Sequence, residues 1–111
     1  MKIPGVIAVP VEIPGHTCRV LTGRGLLAST GALAQEAGLR GACAIITDEN
    51  VGRLHGAAVR ESLEEAGYAA QLLAVPAGEG SKSMATAENL CDRLIAAGFD
   101  RGSFVVALGG G

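Results

Sequence analysis

Three stretches of the chain repeat one pattern of apolar and polar residues. Each begins with apolar residues at helical spacing among polar ones. An Ala-Gly pair, a short apolar run and a polar or glycine-rich loop follow. The pairs are Ala37-Gly38, Ala66-Gly67 and Ala97-Gly98. They recur about every 30 residues, which is the length of a βα unit. Because glycine readily takes the left-handed conformation that ends many helices, each pair predicts a helix end.

Apolar runs predict five strands. Two runs, Ala44-Ile45-Ile46 and Phe104–Leu108, are continuously apolar, which is typical of strands buried on both faces of a parallel sheet. The three strands expected in that sheet are Ala42–Thr47, Ala70–Val75 and Ser103–Leu108. Earlier in the chain, Cys18–Thr22 is predicted to form a fourth strand. Val6–Ile13 is at best an edge strand, because proline cannot donate a hydrogen bond to a sheet.

Helical spacing of apolar residues predicts three helices. The first spans about Leu26–Ala37. The other two carry apolar stripes, at Val51, Leu54, Ala58 and Leu63, and at Met84, Ala87, Cys91, Leu94 and Ile95. The order β-β-α-β-α-β-α-β predicts an α/β fold, a Rossmann-like doubly wound layer with a mainly parallel sheet and right-handed crossovers.

Composition narrows the class of protein. The chain has 111 residues, about 0.7 of an average domain, with 49% hydrophobic and 3% aromatic residues, so its core is aliphatic. A net charge of −2 without a basic cluster argues against nucleic acid as a partner. No apolar run is long enough for a membrane span or a signal peptide, so we expect a cytoplasmic protein with reduced, part-buried thiols at Cys18, Cys43 and Cys91.

Chemistry is expected at the loops that follow the parallel strands, because ligands of open α/β sheets bind outside the carboxyl ends of the strands. Asp48 and Asn50 follow the first of these strands and precede a helix. Short oxygen-bearing side chains in this position cap helices. A carboxylate there also accepts hydrogen bonds from ribose hydroxyls in dinucleotide sites. Both interpretations remain open for these two residues.

The loop after the second strand runs from Ala77 to Lys82. Gly78 and Gly80 permit close approach of a ligand to the backbone. Lys82 lies at the start of a helix, where the macrodipole disfavours a cation and favours the carboxylate of Glu79. A bound ribose or phosphate would reverse that balance, whereas a solvated lysine that points away explains the position equally simply.

Three glycines, Gly109, Gly110 and Gly111, follow the third strand and resemble the opening of a phosphate-binding turn. The helix that such a turn leads into does not follow, so we expect the chain to be truncated at this loop. A second glycine pattern, Gly23 to Ala28, fits a dinucleotide fingerprint, and a simple glycine turn explains it as well. His16 and His55 are isolated, and we expect no metal site or catalytic triad in this chain.

The strand-end loops carry a family resemblance. The segments Ile45–Val51, Val75–Ser83 and Asp100–Gly111 closely resemble the 3-dehydroquinate synthases, one of the sugar-phosphate cyclases, in order and with that family's spacing. The resemblance covers the chain from about Val9 to its last residue. Three collinear motifs make it more specific than any single glycine fingerprint.

This resemblance implies a function and a set of site residues. These enzymes convert 3-deoxy-D-arabino-heptulosonate 7-phosphate to 3-dehydroquinate and phosphate in the shikimate pathway, using NAD and a divalent metal, usually zinc. By resemblance, Asp48 and Asn50 would contact the adenosine end of NAD. Gly78, Glu79, Ser81 and Lys82 would line the ribose and pyrophosphate region, and Gly109, Gly110 and Gly111 would begin the pyrophosphate loop.

The resemblance also implies what this chain lacks. The metal ligands and the residues that bind the sugar-phosphate substrate lie further along in the family, so residues 1–111 would form an amino-terminal NAD-binding domain without a catalytic centre. The intact enzymes tend to form homodimers. Two alternatives stay open: another sugar-phosphate cyclase, such as a valiolone or deoxy-scyllo-inosose synthase, or a more distant polyol dehydrogenase; and a non-enzymatic nucleotide-binding module.

Overall fold

A computed structural model describes residues 5–109 as an α/β fold with two separate sheets. The five strands are β1 (Ile7–Ile13), β2 (His16–Thr22), β3 (Cys43–Asp48), β4 (Ala70–Val75) and β5 (Phe104–Leu108). The α-helices are α1 (Thr30–Glu36), α2 (Glu49–Val51), α3 (Ala57–Glu65) and α4 (Met84–Ala96). Short 3₁₀ turns at Leu26–Ser29 and Glu79–Ser81 precede α1 and α4, and a π-helical segment, Gly52–Gly56, joins α2 to α3.

The main sheet is parallel, with the strand order β4-β3-β5. β3 pairs with both neighbours, so that Ile45 lies opposite Leu72 on one side and Val106 on the other. The predicted α/β class and its parallel sheet are therefore confirmed. The first two strands, however, form their own antiparallel hairpin and are not part of this sheet. The structure thereby supplies the strand order, which sequence periodicity does not encode.

Helices cover the two faces of the main sheet unequally. Alternate side chains of β3, Cys43 and Ile45, face α1 and α3 and form the buried core. The core cluster is completed by Ala34, Val59, Leu63 and Ala70. Ala44 and Ile46 face the other way, toward α4. Crossovers on opposite faces are what a right-handed chain produces when it moves first to one side of β3 and then to the other.

The three predicted Ala-Gly helix ends are confirmed. Gly38, Gly67 and Gly98 have φ values of 78°, 95° and 86°, in the left-handed region. At each end two hydrogen bonds close the last turn; for α3 they join Gly67 N to Glu64 O and Tyr68 N to Leu63 O. This pair of hydrogen bonds is the Schellman motif, which satisfies carbonyls that the helix leaves unpaired. Each helix consequently ends just before the chain turns back toward the next strand.

The first predicted apolar stripe is wrong in its phase. Leu63 is buried, but Leu54 is 67% exposed, and the inward positions are taken by Gly56 and Val59. The π-helical segment explains the shift, because a π turn contains an extra residue and rotates all that follows. Its glycine lets the helix approach the sheet closely: a Cβ at Gly56 would lie 2.6 Å from Leu72 Cδ1.

The second stripe is confirmed only at Leu94, which is partly buried; its other four residues are exposed, and Thr86 and Leu90 take the remaining inward positions of α4. Met84 and Ile95 are 86% and 73% exposed. The prediction that β5 is buried on both faces is also wrong. Val105 is 53% exposed, since α4 leaves the β5 side of its face of the sheet uncovered within the described residues. None of the helices in residues 5–109 is long and apolar enough to cross a membrane.

The three cysteines differ in environment. Cys43 is fully buried in the centre of the sheet, and burial raises the pKa of its thiol to about 11. Cys18 on the hairpin and Cys91 on α4 are exposed, so the expectation of part-buried thiols is wrong for both. All three are free thiols. Only the two exposed ones are available to reagents in the folded chain.

We predict that Gly31→Ala destabilises the fold. Gly31 N donates to Ser62 Oγ over 2.9 Å, and a Cβ on Gly31 would lie only 2.0 Å from the Ser62 carbonyl oxygen. The change must push α1 away from α3, which we expect to lower the free energy of unfolding by about 1–3 kcal/mol in urea titrations. Gly80→Ala is the matched control, because nothing lies within 4 Å of its new methyl group. Equal losses in both variants would contradict this account.

Candidate functional site

The topology of the main sheet selects one crevice. The chain leaves β3 toward β4 on one side and later reaches β5 on the other side of β3, so the direction of the strand order reverses between β3 and β5. Such a switch point opens a crevice outside the carboxyl ends of the strands, and open α/β sheets bind ligands there. Asp48, the last residue of β3, and Gly109, the first after β5, lie at this point.

A cleft of about 940 Å³ occupies the crevice. It is bounded by the ends of the three parallel strands and by the first turns of α4. Its volume is in the range of small-molecule sites. Six of the predicted site residues line it: Asp48, Gly78, Glu79, Ser81, Lys82 and Gly109. The fold thus brings the three strand-end loops together in one place.

Asp48 has a structural role in this cleft. Its Oδ1 accepts a hydrogen bond of 2.7 Å from the backbone N–H of Val51, which caps α2. The capping interpretation of Asp48 is therefore confirmed. A cap of this kind uses one carboxylate oxygen and holds the side chain in a fixed position. The second oxygen can still accept hydrogen bonds from a ligand, so capping and ligand binding are compatible at this residue.

The loop between β4 and α4 is held by its own side chains. Gly78 has φ 103°, a conformation that suits glycine, and the Ser81 hydroxyl donates to the Pro76 carbonyl. Lys82 Nζ lies 3.0 Å from Glu79 Oε1, and both side chains are largely exposed. This ion pair explains how a lysine is tolerated beside a helix start: the carboxylate of Glu79 offsets its charge. An exposed pair is weak, so either partner is free to exchange for a ligand group.

The amino end of α4 opens into the same cleft. Ser83 caps this 13-residue helix, since its Oγ accepts from the Thr86 N–H over 3.2 Å. Ser83 and Thr86 both line the cleft. The unpaired N–H groups and the dipole of a helix start favour an anion. The lining therefore combines donors for a negatively charged group at α4 with carboxylate acceptors at Asp48 and Glu79.

Some predicted residues are not brought into the cleft. Asn50 is exposed in the first turn after β3 and does not line it, and the helix cap there is Asp48, not Asn50. Gly80 is also absent from the lining. Gly110 and Gly111 lie outside the described residues, so their predicted place in a phosphate loop stays a prediction.

Sequence reasoning missed Thr47 at the end of β3. This residue lines the cleft and is 3% exposed, and its Oγ1 is the buried side-chain oxygen that lacks a hydrogen-bond partner among residues 5–109. Leaving a buried hydroxyl unpaired is costly, which favours a partner supplied by a ligand or water. The available signal was a hydroxyl side chain that directly follows the apolar run Ala44-Ile45-Ile46.

The dinucleotide fingerprint at Gly23–Ala28 lies in the wrong context. It follows β2, which belongs to the antiparallel hairpin, and leads into a 3₁₀ turn at Leu26–Ser29. A phosphate-binding fingerprint requires a parallel βαβ unit, so the glycine-turn interpretation is favoured. His16 and His55 are both exposed. The described part of the chain holds no group of three His, Cys, Asp or Glu side chains that could bind a metal ion.

The sequence of this chain is similar to one family model and to several enzymes that share one name. A family model described as iron-containing alcohol dehydrogenase matches residues 21–111. A 3-dehydroquinate synthase of Citrifermentans bemidjiense is 44% identical over 103 residues, which are 93% of this chain and 28% of that protein. The enzymes of the same name from Streptococcus suis and Caulobacter vibrioides are each 39% identical, over 91% and 93% of this chain and 28% of their own lengths. The predicted resemblance is confirmed, and the chain spans about 28% of these relatives.

We predict that Asp48 stabilises the fold through its hydrogen bond to the start of α2 and not through its negative charge. Asp48→Ala removes the acceptor for the Val51 N–H and should lower the free energy of unfolding by about 1 kcal/mol. Asp48→Asn should be nearly neutral, because asparagine caps helices about as well as aspartate. Urea titrations of both variants measure the difference. An equal loss of stability in the two variants would show that the charge, and not the cap, stabilises α2.

Proposed function

This chain belongs to the iron-containing alcohol dehydrogenase family, and we propose that it is the amino-terminal, NAD-binding domain of a 3-dehydroquinate synthase. The observation that carries the proposal is the single cleft lined by residues of all three resembling segments. Relatives that are 39–44% identical carry that name. The sugar-phosphate substrate, the cytoplasmic location and the absence of nucleic-acid and membrane partners belong to the same proposal.

The cleft has the donors and acceptors that NAD requires. A dinucleotide presents ribose hydroxyls, which donate to carboxylates, and a pyrophosphate, which binds at helix amino ends and glycine turns. Asp48 and Glu79 supply the carboxylates, and the amino end of α4 supplies the N–H groups. The residues present therefore fit this cofactor.

The residues that the resemblance assigns to NAD have separate proposed parts in holding it. Asp48 accepts from a ribose hydroxyl with the oxygen that its cap does not use, and Asn50 lies close by in the chain. Lys82 leaves Glu79 and turns toward a phosphate, which frees the Glu79 carboxylate for a ribose. Gly78 and Ser81 shape the loop, and Gly109, with Gly110 and Gly111, approaches the pyrophosphate through its backbone.

The proposed reaction converts 3-deoxy-D-arabino-heptulosonate 7-phosphate to 3-dehydroquinate and phosphate. When bound, NAD would supply a hydride acceptor that is regenerated within the same reaction, and Asp48, Glu79 and the amino end of α4 would hold it. A divalent metal, zinc by resemblance, would be held by residues outside this chain, and the described residues offer no cluster for it. The part of this chain is to position the cofactor, and we expect residues 1–111 alone to release no phosphate.

Three alternatives remain, and product analysis of the intact protein distinguishes them. A dehydroquinate synthase releases one phosphate for each 3-dehydroquinate formed and accumulates no NADH. Another sugar-phosphate cyclase would release no phosphate from this substrate and would require a different sugar phosphate. A polyol dehydrogenase would accumulate NADH in proportion to substrate, and a non-enzymatic module would bind nucleotide with no turnover.

We predict that the ion pair in the cleft contributes to NAD affinity. In the intact enzyme, Glu79→Ala and Lys82→Ala should each raise the dissociation constant for NAD about tenfold, because each removes one charged contact. Asp48→Asn should also weaken binding while it keeps the helix cap. Isothermal titration calorimetry measures the three constants.

The matched control is Arg60→Ala, which breaks an exposed ion pair of the same kind on α3, where Arg60 Nε lies 2.8 Å from Glu64 Oε1. This pair is not part of the cleft lining. Its loss should leave the NAD constant unchanged. If Glu79→Ala and Lys82→Ala behave like this control, the assignment of the loop to the cofactor fails.

A further inference from the structure

We propose that Arg93 of α4 is a positioning residue for the cleft, because its hydrogen bond to β4 fixes the loop that carries Glu79 and Lys82. The inference rests on the proposed function of the cleft as an NAD site. The guanidinium Nη1 of Arg93 donates to the carbonyl oxygen of Ala74 over 3.1 Å. Ala74 is the penultimate residue of β4, and Arg93 lies in the last turn of α4. The bond therefore joins the two elements that the loop connects.

The carbonyl that Arg93 binds lies on the outer edge of β4. Just before this strand, the Ala69 carbonyl accepts from the N–H of Cys43, so Ala69 faces β3. Successive residues of a strand direct their carbonyls to opposite edges, so Ala74, five residues later, faces away from β3. Within the described part of the chain, the strand order β4-β3-β5 leaves this outer edge without a strand partner. A carbonyl there needs a donor from elsewhere, and Arg93 supplies it.

The bond is important because α4 is held only loosely by apolar packing. Helix α3 buries three of its nine residues, whereas α4, all of whose thirteen residues the structure describes, buries none. The inward side of α4 consists of Thr86, Leu90 and Leu94, which are partly buried. Arg93 lies between the last two of these on the same side of the helix. A directional hydrogen bond thus fixes a helix that hydrophobic contacts leave free to shift.

The position of α4 determines the shape of the loop at residues 76–83. This loop leads from the end of β4 to the start of α4 and contributes to the cleft. Its exposed ion pair between Glu79 and Lys82 is too weak to hold both ends of the loop in place. Arg93 is not among the described residues that line the cleft, so it acts through the loop and not by contact with NAD. A loop held in one geometry binds a ligand at a smaller entropic cost.

A purely helical role for Arg93 makes a different prediction. A cation in the last turn of a helix interacts favourably with the helix dipole. That interaction stabilises the carboxyl end of α4 and does not set the position of the helix on the sheet. Loss of the dipole interaction alone would therefore loosen the last turn of α4, whereas loss of the bond to Ala74 would loosen the loop and the first turn.

Hydrogen exchange of the intact protein without NAD distinguishes these two roles. Arg93→Met should speed amide exchange at residues 77–82 and in the first turn of α4 about fivefold, because one hydrogen bond is lost. Arg60→Met is the matched control, since Arg60 is an exposed helical arginine whose partner, Glu64, lies in its own helix. It should leave these rates unchanged. Unchanged rates at the loop in Arg93→Met, or a change confined to the last turn of α4, would overturn the proposal.

Calorimetry then tests whether this positioning serves the cofactor. In the intact protein, Arg93→Met should raise the dissociation constant for NAD about fivefold, and Arg93→Lys, which keeps a long cationic donor, should retain most of the affinity. In a Lys82→Ala background the effect of Arg93→Met should fall to about twofold or less, because both residues act through one loop. Fully additive losses would contradict the proposal. If the intact protein binds no NAD, the proposed function fails, and the exchange rates still decide the role of Arg93.

Discussion

The structure depends on the burial of β3 between two parallel neighbours. Cys43, Ala44 and Ile45 have no exposed surface, and the strand is paired along both edges. A strand in this position must be apolar on both faces, and helices must cover both sides of it. Its carboxyl end then lies at the centre of one edge of the sheet. Asp48 is polar at the first position where the chain leaves this environment, so the constraint that builds the core also positions the site.

The residues of the cleft stabilise the loops that form it. Asp48 caps α2, Ser83 caps α4, Ser81 bonds to the Pro76 carbonyl, and Glu79 pairs with Lys82. The two caps and the Ser81 hydrogen bond fix the loop backbone before a ligand arrives, which lowers the entropic cost of binding, whereas the exposed Glu79–Lys82 pair is weak enough to open. Structural and binding roles are therefore not competing explanations here. Helix caps and strand-end loops are polar for local reasons, and these same polar groups are available to a dinucleotide.

Sequence reasoning predicts the elements well where a single local rule decides. The strand Ala70–Val75 is found with the predicted bounds, and the Schellman glycines end all three helices. It fails where distant packing decides. The π-helical segment leaves Leu54 exposed, and its glycines, Gly52 and Gly56, lie close to Thr47 and Leu72 of the sheet, an approach between elements that hydrophobic spacing does not predict. The exposure of Ile95 depends on which neighbours cover α4, a property of the whole assembly.

The same distinction holds for the site. The three polar loops could be predicted because each follows an apolar strand, and their convergence follows from the parallel sheet. The placement of Asn50 outside the cleft and of Thr47 within it could not, because both depend on how the end of β3 and the first turn of α2 are oriented in the folded chain. The hairpin shows a further limit: its alternating pattern predicts a strand but does not reveal that its apolar face stays exposed.

Hydrogen exchange of the intact protein with and without NAD tests the central claim that the carboxyl-end cleft is the cofactor site. We expect NAD to slow exchange at the loops that contain Asp48 and Gly78–Lys82 and at the first turn of α4. The loops at the opposite edge of the sheet, around Gly67 and Gly98, should exchange at unchanged rates. Protection at that opposite edge, with none at Asp48 or the loop to Lys82, would contradict the account.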